Sequence, residues 1–332
     1  MRAVVCDEFG PFENMTIQDV AAPQPAPDQV LIDLKATGVS FAQNLLVAGK
    51  YQRKPPLPFT PGVEIAGIVT ACGQQTSHFS VGDRVYGTIN DGGFAEQAVA
   101  HETFLHPMPN NMDFAEATLF PVSYPTSYAA LIWKAQLQAD ETVLVHAAAG
   151  AVGMAAVQIA KAKGAKVIAT ASTDEKCAKA EGHGADLAIN YSTSNFRDAV
   201  KDWTDGEGVD VVIDPVGGDV LIESLRCMGR ESRLLTLGYT SGDIPKAPVN
   251  LLLVKNMSII GLNYGTYLGW SPGDDGSAYT ERRAVMQADL SKMFADGQLK
   301  PEVSHSFGLE GFNEAMNTVL ERRSTGKVVL LP

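Results

Sequence analysis

Between Val143 and Ser172 the chain reads VLVHAAAGAVGMAAVQIAKAKGAKVIATAS: an apolar run, a cluster of small residues, an amphipathic stretch and a second apolar run. Ala148, Gly150 and Gly153 follow the spacing of a G-x-G-x-x-G fingerprint, with alanine in the first place. A small-residue turn between a strand and a helix suits one piece of chemistry. It lets a pyrophosphate reach backbone N–H groups at the helix N-terminus, where side chains on the approach side would block it. Gly150 gives the close approach and Gly153 lets the helix pack on the strand, so the candidate phosphate-binding residues are Ala149, Gly150, Ala151, Val152 and Gly153. The competing reading is tight strand-to-helix packing with no ligand. The context argues against it, because further strand and helix units follow in the expected order.

The second apolar run ends in ATASTDEK. An NAD site carries Asp or Glu there to hold the ribose hydroxyls, and such a carboxylate repels a 2′-phosphate. Here Ser172 and Thr173 offer hydroxyls, and Lys176 lies one turn further. Asp174 is the expected N-cap, which leaves Lys176 in a first turn where the helix dipole does not favour a cation. A nearby phosphate accounts for that lysine and favours NADPH; a solvated surface lysine is the alternative.

The elements that must position these residues show in the texture of the chain. From residue 1 to about 123, short runs such as QVLIDLKATGVS, GVEIAGIVTACG and VGDRVYGTI are punctuated by Pro and Gly, and predict strands and turns. From about 124 to 264, apolar runs (TVLVH, KVIAT, DLAINY, VDVVID, RLLTLG, MSIIGLNY) alternate with Ala-rich amphipathic segments, predicting a parallel sheet covered on both faces. The tail carries one long helical pattern, YTERRAVMQADLSKMFADG, and closes on GKVVLLP, a strand expected to return to the first region.

Bulk properties narrow the partners. A chain of 332 residues predicts two domains. Its formal charge of -12 has the wrong sign for a surface that neutralises phosphates, so nucleic acid is not an expected partner. No stretch approaches the roughly 18 apolar residues of a membrane span, and the first residues lack the apolar core of a signal peptide; a cytoplasmic location is expected. Cys6, Cys72, Cys177 and Cys227 show no CxxC spacing and are expected to be free thiols. The histidines at 78, 101, 106, 146, 183 and 305 form no i,i+4 pair, and read as surface or capping residues rather than metal ligands.

Taken together and in order, GVSFAQNLLVAGKYQRKPPLPFTPGVEIAGIV, VGDRVYG, YPTSYAAL, AAAGAVGMAAVQIAKAKGA, GADLAINY, VDVVIDPVGG and STGKVVLLP resemble the medium-chain dehydrogenase/reductase superfamily. Within it the chain is similar to the zinc-free, zeta-crystallin-like quinone oxidoreductase group, over nearly its whole length. The resemblance implies an α/β fold: a GroES-like β domain (1–123 and 265–332), a Rossmann doubly wound parallel sheet (124–264), and an active-site cleft between them. Zinc-dependent relatives carry ligands where this chain has Ser40, Val63 and Val122, so no catalytic metal is expected. Glu64, left from the relatives' GHE motif, reads as structural.

Without a metal to stabilise an alkoxide, the implied substrate is a small electrophile, a quinone or an α,β-unsaturated carbonyl, whose charge spreads over a carbonyl after hydride addition. Tyr51 matches the family's active-site tyrosine and would donate to that oxygen; the alternative is an aromatic packed beside Pro55 and Pro56. Ser40 and Gln43 would touch the nicotinamide ribose and substrate. The resemblance carries further cofactor contacts to Thr126, Tyr191, Val216, Gly238, Tyr239, Ser241, Asn263, Tyr264, Gly265 and Lys327, the last closing over the cofactor from the other domain. It also implies a homodimer paired through strand 257–264, since an apolar edge strand without charges needs a partner. In GTYLGWSPGDDGSAY, Tyr267 and Trp270 are substrate contacts or loop anchors. Two other activities stay open: an enoyl-CoA reductase of the acryloyl-CoA type, for which KYQRKPP would meet the CoA phosphates, and a non-catalytic NADPH-binding sensor or structural protein.

Overall fold

In the computed structural model, which describes all 332 residues, the chain divides into two units. One comprises Ser123–Tyr264 and Ala284–Lys300; the other comprises Met1–Val122, Gly265–Arg283 and Pro301–Pro332. Residues 284–300, expected with the GroES-like part, thus group with the α/β unit. Polar ties explain it. The Tyr128 hydroxyl donates to Asp289 at 2.8 Å, and the Gln158 amide holds the Lys300 backbone, accepting from its N–H at 2.7 Å and donating to its carbonyl at 3.0 Å.

The α/β unit contains six strands, β1 (Thr142–Val145), β2 (Lys166–Ala171), β3 (Leu187–Asn190), β4 (Val209–Asp214), β5 (Met228–Thr236) and β6 (Ser258–Gly261). They lie in the order β3-β2-β1-β4-β5-β6 with every pairing parallel. This is the doubly wound order, with its switch point between β1 and β4. Helices α1 (Ala151–Ala162), α2 (Asp174–Gly182), α3 (Phe196–Trp203), α4 (Gly218–Cys227) and α5 (Val249–Lys255) connect them. β1 is buried along its whole length, as a central strand covered on both faces must be. The alanines of α1 have a packing cause: Ala155, Ala156 and Ala160 are buried with Met154, Val157 and Ile159, and small side chains let the helix lie close to the sheet.

Only Ser258–Gly261 of the expected 257–264 strand is extended; a short 3-10 helix begins at Tyr264. β6 ends the sheet with one edge unpaired in the chain, and α5 leaves Val249, Leu253 and Val254 at least 70% exposed.

His146, at the end of β1, corrects the expectation of a surface or capping residue. It is buried; Nδ1 meets Thr170 Oγ at 2.9 Å and Nε2 meets Ser224 Oγ at 2.7 Å. Ser224 Oγ donates to the Val220 carbonyl at 2.7 Å, so it accepts from Nε2–H, and Nδ1 accepts from Thr170. Burial pushes the imidazole pKa down to about 3. The unfolded chain, with an ordinary histidine near 6.5, binds the proton first on acidification. The site's stability is therefore whole above about pH 6.5 and is lost toward pH 3, at up to about 1.4 kcal/mol per pH unit. His106 adds the same sign, lowered to about 4 by burial and by the Arg283 charge. Between pH 7.5 and 5 the melting midpoint should fall more steeply in the wild type than in His146→Gln; equal slopes would remove His146 from the acid response.

The other unit is built on a sheet in the order Val303–Gly308, Lys327–Leu331, Gln29–Val39, Glu64–Cys72, Arg84–Thr88, Leu105–Pro107, with Gln97–His101 also paired to Gln29–Val39. The closing strand returns as expected: Val328, Val329 and Leu330 pair antiparallel with Val39, Gly38 and Thr37. One core gathers Val30, Ile32, Ile65, Val69 and Val85; a second gathers Val39, Leu46, Val47, Phe59, Phe312 and Leu330. The four cysteines are free. No helix is long and apolar enough to cross a membrane.

Candidate functional site

Because all six strands run parallel, every loop after a strand emerges on one edge of the sheet. That edge collects Ala149–Gly153 after β1, Ser172–Lys176 after β2, Tyr191 after β3, Val216 after β4, Gly238–Ser241 after β5, and Asn263 and Tyr264 after β6. Open α/β sheets bind ligands at this edge, at the switch point.

The turn after β1 is held by Gly150 N–H donating to the Ala147 carbonyl at 2.9 Å, with Ala147 at φ 50°. A β-carbon on Gly153 would lie 2.3 Å from the Ala147 oxygen and 2.7 Å from the Ala148 Cα, so helix packing itself requires glycine there. Gly150 is different. Its β-carbon would meet nothing closer than the Ala147 oxygen at 3.4 Å, and its φ of -83° and ψ of 165° suit any residue. Nothing within the fold demands glycine at 150, whereas a phosphate approaching the α1 N-terminus does. The residues present therefore fit a dinucleotide.

At the next loop the N-cap of α2 is Thr173, whose side chain accepts from Lys176 N–H at 3.2 Å, and not Asp174 as expected. Asp174 instead accepts from the Asn190 amide at 2.7 Å, which ties the loops after β2 and β3 together. Lys176 is half-buried in a first turn that also carries Asp174 and Glu175. Tyr191 is 45% exposed beside them, its N–H donating to Ala171.

The loops after β4 and β5 are zipped by Thr240 N–H to the Pro215 carbonyl at 3.1 Å and Ser241 N–H to the Val216 carbonyl at 3.0 Å. Their shape depends on Asp214, a residue not among those singled out from the sequence. Fully buried, its Oδ1 accepts from Val216 N–H at 2.8 Å and Gly217 N–H at 3.0 Å. Burial raises its pKa against those two bonds, and Oδ2 has no partner. Thr126 lies in the helix Ser123–Tyr128, whose Ser127 hydroxyl donates to the Val152 carbonyl at 2.7 Å; that bond seats it beside the first turn of α1.

In the GroES-like unit, strand Gln29–Val39 ends at Ser40, the N-cap of helix Phe41–Val47. Ser40 and Gln43 form a capping box, in which Gln43 Oε1 accepts from Ser40 N–H at 2.8 Å and Nε2 donates to the Gly38 carbonyl at 3.1 Å. With its amide so committed and its side chain buried, Gln43 holds the turn that presents Ser40. Ser40 remains half-exposed.

That helix closes at Gly49, whose φ of 67° reverses the chain so that Lys50 and Tyr51 both donate to the Leu45 carbonyl, at 2.8 and 3.1 Å. The Tyr51 ring rests on the core that includes Val47 and Phe59. Its hydroxyl has no hydrogen bond in the protein; burial raises its pKa and the Arg53 charge partly opposes this. Tyr51 is both a packed ring and an available donor.

Lys327, expected to close over the cofactor from the other domain, has its charge engaged within its own unit. It is 3% exposed and paired through Nζ with Glu64, itself buried, within the same unit. Two buried charges hold each other, and neither is free for a phosphate. Tyr267 is buried edge-on against Tyr279, 4.9 Å between centroids, and anchors the 265–280 loop, while Arg283 donates to the Tyr267 and Gly276 carbonyls. No group of three or more His, Cys, Asp or Glu side chains is placed to hold a metal ion.

A doubly wound sheet with a glycine cradle at its switch point, joined in sequence to a GroES-like β unit, defines a dinucleotide-dependent oxidoreductase. The comparisons give the particular family. Residues 26–110 match the alcohol dehydrogenase GroES-like domain and residues 151–274 the zinc-binding dehydrogenase domain. The chain is 41% identical to quinone oxidoreductase-like protein 2 of Rattus norvegicus, covering 99% of this chain and 91% of that one. It is 36% identical to quinone oxidoreductase of Homo sapiens, over 100% of this chain and 98% of the relative. The Escherichia coli quinone oxidoreductase structure complexed with NADPH superposes with a TM-score of 0.90 at 28% identity, covering 100% of both chains. The chain belongs to the quinone oxidoreductase group of the medium-chain dehydrogenase/reductase superfamily.

Proposed function

We propose that the protein is an NADPH-dependent reductase of quinones or α,β-unsaturated carbonyls that works without zinc. The observation that carries this is Gly150 at the α1 N-terminus, where nothing in the packing or the backbone requires glycine. NADPH supplies hydride when bound. The chain supplies backbone N–H groups for the pyrophosphate at 150–153, hydroxyls from Ser172 and Thr173 and the cation of Lys176 for the 2′-phosphate, and the loops 215–217 and 238–241 along the ring half. Tyr51 O–H would donate to the acceptor's carbonyl oxygen as it gains charge. The relative complexed with NADPH supports the choice of coenzyme. Lys176→Ala should weaken NADPH about tenfold and NADH less than twofold in fluorescence titrations; equal weakening would sink the phosphate role.

The test is NADPH oxidation by EDTA-treated protein with 1,4-naphthoquinone and a simple enone side by side. Turnover of either supports the reading. Silence with both, despite tight NADPH binding, overturns it in favour of a CoA thioester substrate or the sensor or structural role. A second reading, reduction of enoyl-CoA, draws on Lys50 and Lys54, exposed on either side of Tyr51; crotonyl-CoA as the one active acceptor would select it.

The bare edge of β6 and the exposed Val249, Leu253 and Val254 support a homodimer. Light scattering at micromolar concentration should give twice the chain mass. A monodisperse monomer would reject the pairing.

A further inference from the structure

Arg53 is placed two residues after Tyr51, and its guanidinium is only partly used. Nη2 donates to the Asn90 carbonyl, Nη1 reaches Asp91 Oδ2 at a long 3.4 Å, and the buried Nε has no partner. The side chain is 21% exposed, and its charge acts on the Tyr51 hydroxyl. The 90–91 turn that holds it is itself fixed, since Gly92, Gly93 and Phe94 donate backbone bonds of 2.7 to 3.0 Å to Thr60, Gly62 and Pro61. Lys50 and Lys54 are exposed nearby, and Asp91 is the acidic side chain facing the guanidinium. An arginine with a buried unpaired N–H is costly unless something uses that donor.

We propose that Arg53 acts with Tyr51 on the carbonyl oxygen of the acceptor, stabilising the negative charge that develops there during reduction. The proposal rests on the reading of Tyr51 as the donor. In the step concerned, hydride from the reduced nicotinamide coenzyme bonds to the acceptor, whose π pair moves onto the carbonyl oxygen. The coenzyme leaves oxidised and the oxygen takes its proton from water. A fixed cation whose charge reaches the acceptor's oxygen gives more stabilisation after the electron pair arrives than before, so its loss falls on kcat.

The experiment compares Arg53→Ala, Arg53→Lys and Asp91→Asn with 1,4-naphthoquinone as acceptor, alongside NADPH titrations and melting curves. Arg53→Ala should lower kcat about 30- to 100-fold with acceptor KM and NADPH Kd within about twofold, and millimolar guanidinium should restore at least tenfold. Arg53→Lys, which keeps the charge and most of the packing, should retain at least a third of kcat. Asp91→Asn, which breaks the ion pair but leaves the cation, should stay within about threefold of the wild type. If Arg53 is merely a staple to the 90–91 turn, Asp91→Asn falls with Arg53→Ala and guanidinium does not rescue; that result overturns the proposal. Should Arg53→Ala fail to fold, an Arg53→Lys enzyme less active than Asp91→Asn by tenfold or more overturns it too. An inactive wild type refutes the reductase reading, whereas an active wild type with an equally active Arg53→Ala refutes this inference alone.

Discussion

Replacing Tyr51 by phenylalanine is expected to lower kcat/KM for the acceptor by roughly 100- to 1000-fold, the scale of losing one donor to a developing oxyanion, about 2.7–4 kcal/mol. Three features isolate the effect. The hydroxyl has no hydrogen bond within the protein, so its removal leaves no orphaned partner. The ring packs on the core with Val47 and Phe59, and phenylalanine preserves that packing, so the melting midpoint should not move. Burial holds the phenol above its ordinary pKa, so the wild type keeps its proton at neutral pH and presents a donor. NADPH Kd should stay within twofold, because the coenzyme elements 149–153 and 172–176 belong to the other unit. Acceptor turnover equal to the wild type would strike Tyr51 from the mechanism and leave its ring as packing.

Much of this architecture is legible in the sequence, for a physical reason. Strands β1 to β5 are short apolar runs bounded by turn residues, and a buried parallel strand has no other way to look. The return of the closing strand 327–331 to the first region is expected from its pattern, and the register shows its partner there to be strand 29–39. What could not be read depends on distant partners. Nothing near Lys327 in the sequence tells that Glu64, in another strand, takes its charge. Gln43 looks like a free polar side chain until the Ser40 N–H and Gly38 carbonyl are seen to use its amide. His146 follows a strand and precedes a glycine-rich turn, and only the fold brings Thr170 and Ser224 to its two nitrogens. Asp214 had a local signal, an acidic residue closing a buried strand before PVGG. Its meaning, a carboxylate that accepts two loop N–H groups, follows from the turn. The cap of α2 fell one residue from expectation because Thr173 and Asp174 are both good caps, and Asn190 claims the aspartate.

Two glycines three residues apart should respond oppositely to the same methyl group, and that contrast tests the coenzyme site without relying on turnover. At Gly153 the added carbon would sit 2.3 Å from a backbone oxygen, so Gly153→Ala must push α1 away from the turn. It should cost about 1–3 kcal/mol of stability, the usual range for overpacking, and take NADPH binding with it. At Gly150 the carbon comes no closer than 3.4 Å to any atom it packs against beyond its chain neighbours, and the backbone is in a region open to alanine. Gly150→Ala should melt at or slightly above the wild-type midpoint, because alanine loses less chain entropy on folding. Its methyl group would nonetheless occupy the approach to the α1 N–H groups. NADPH affinity should fall roughly 10- to 100-fold, about 1.4–2.8 kcal/mol. Saturating NADPH raises the wild-type midpoint by mass action, and at the same concentration the Gly150→Ala midpoint should barely move. If Gly150→Ala instead binds NADPH as the wild type does, the small residues of AAAGAVG serve packing alone, and the pyrophosphate lies elsewhere.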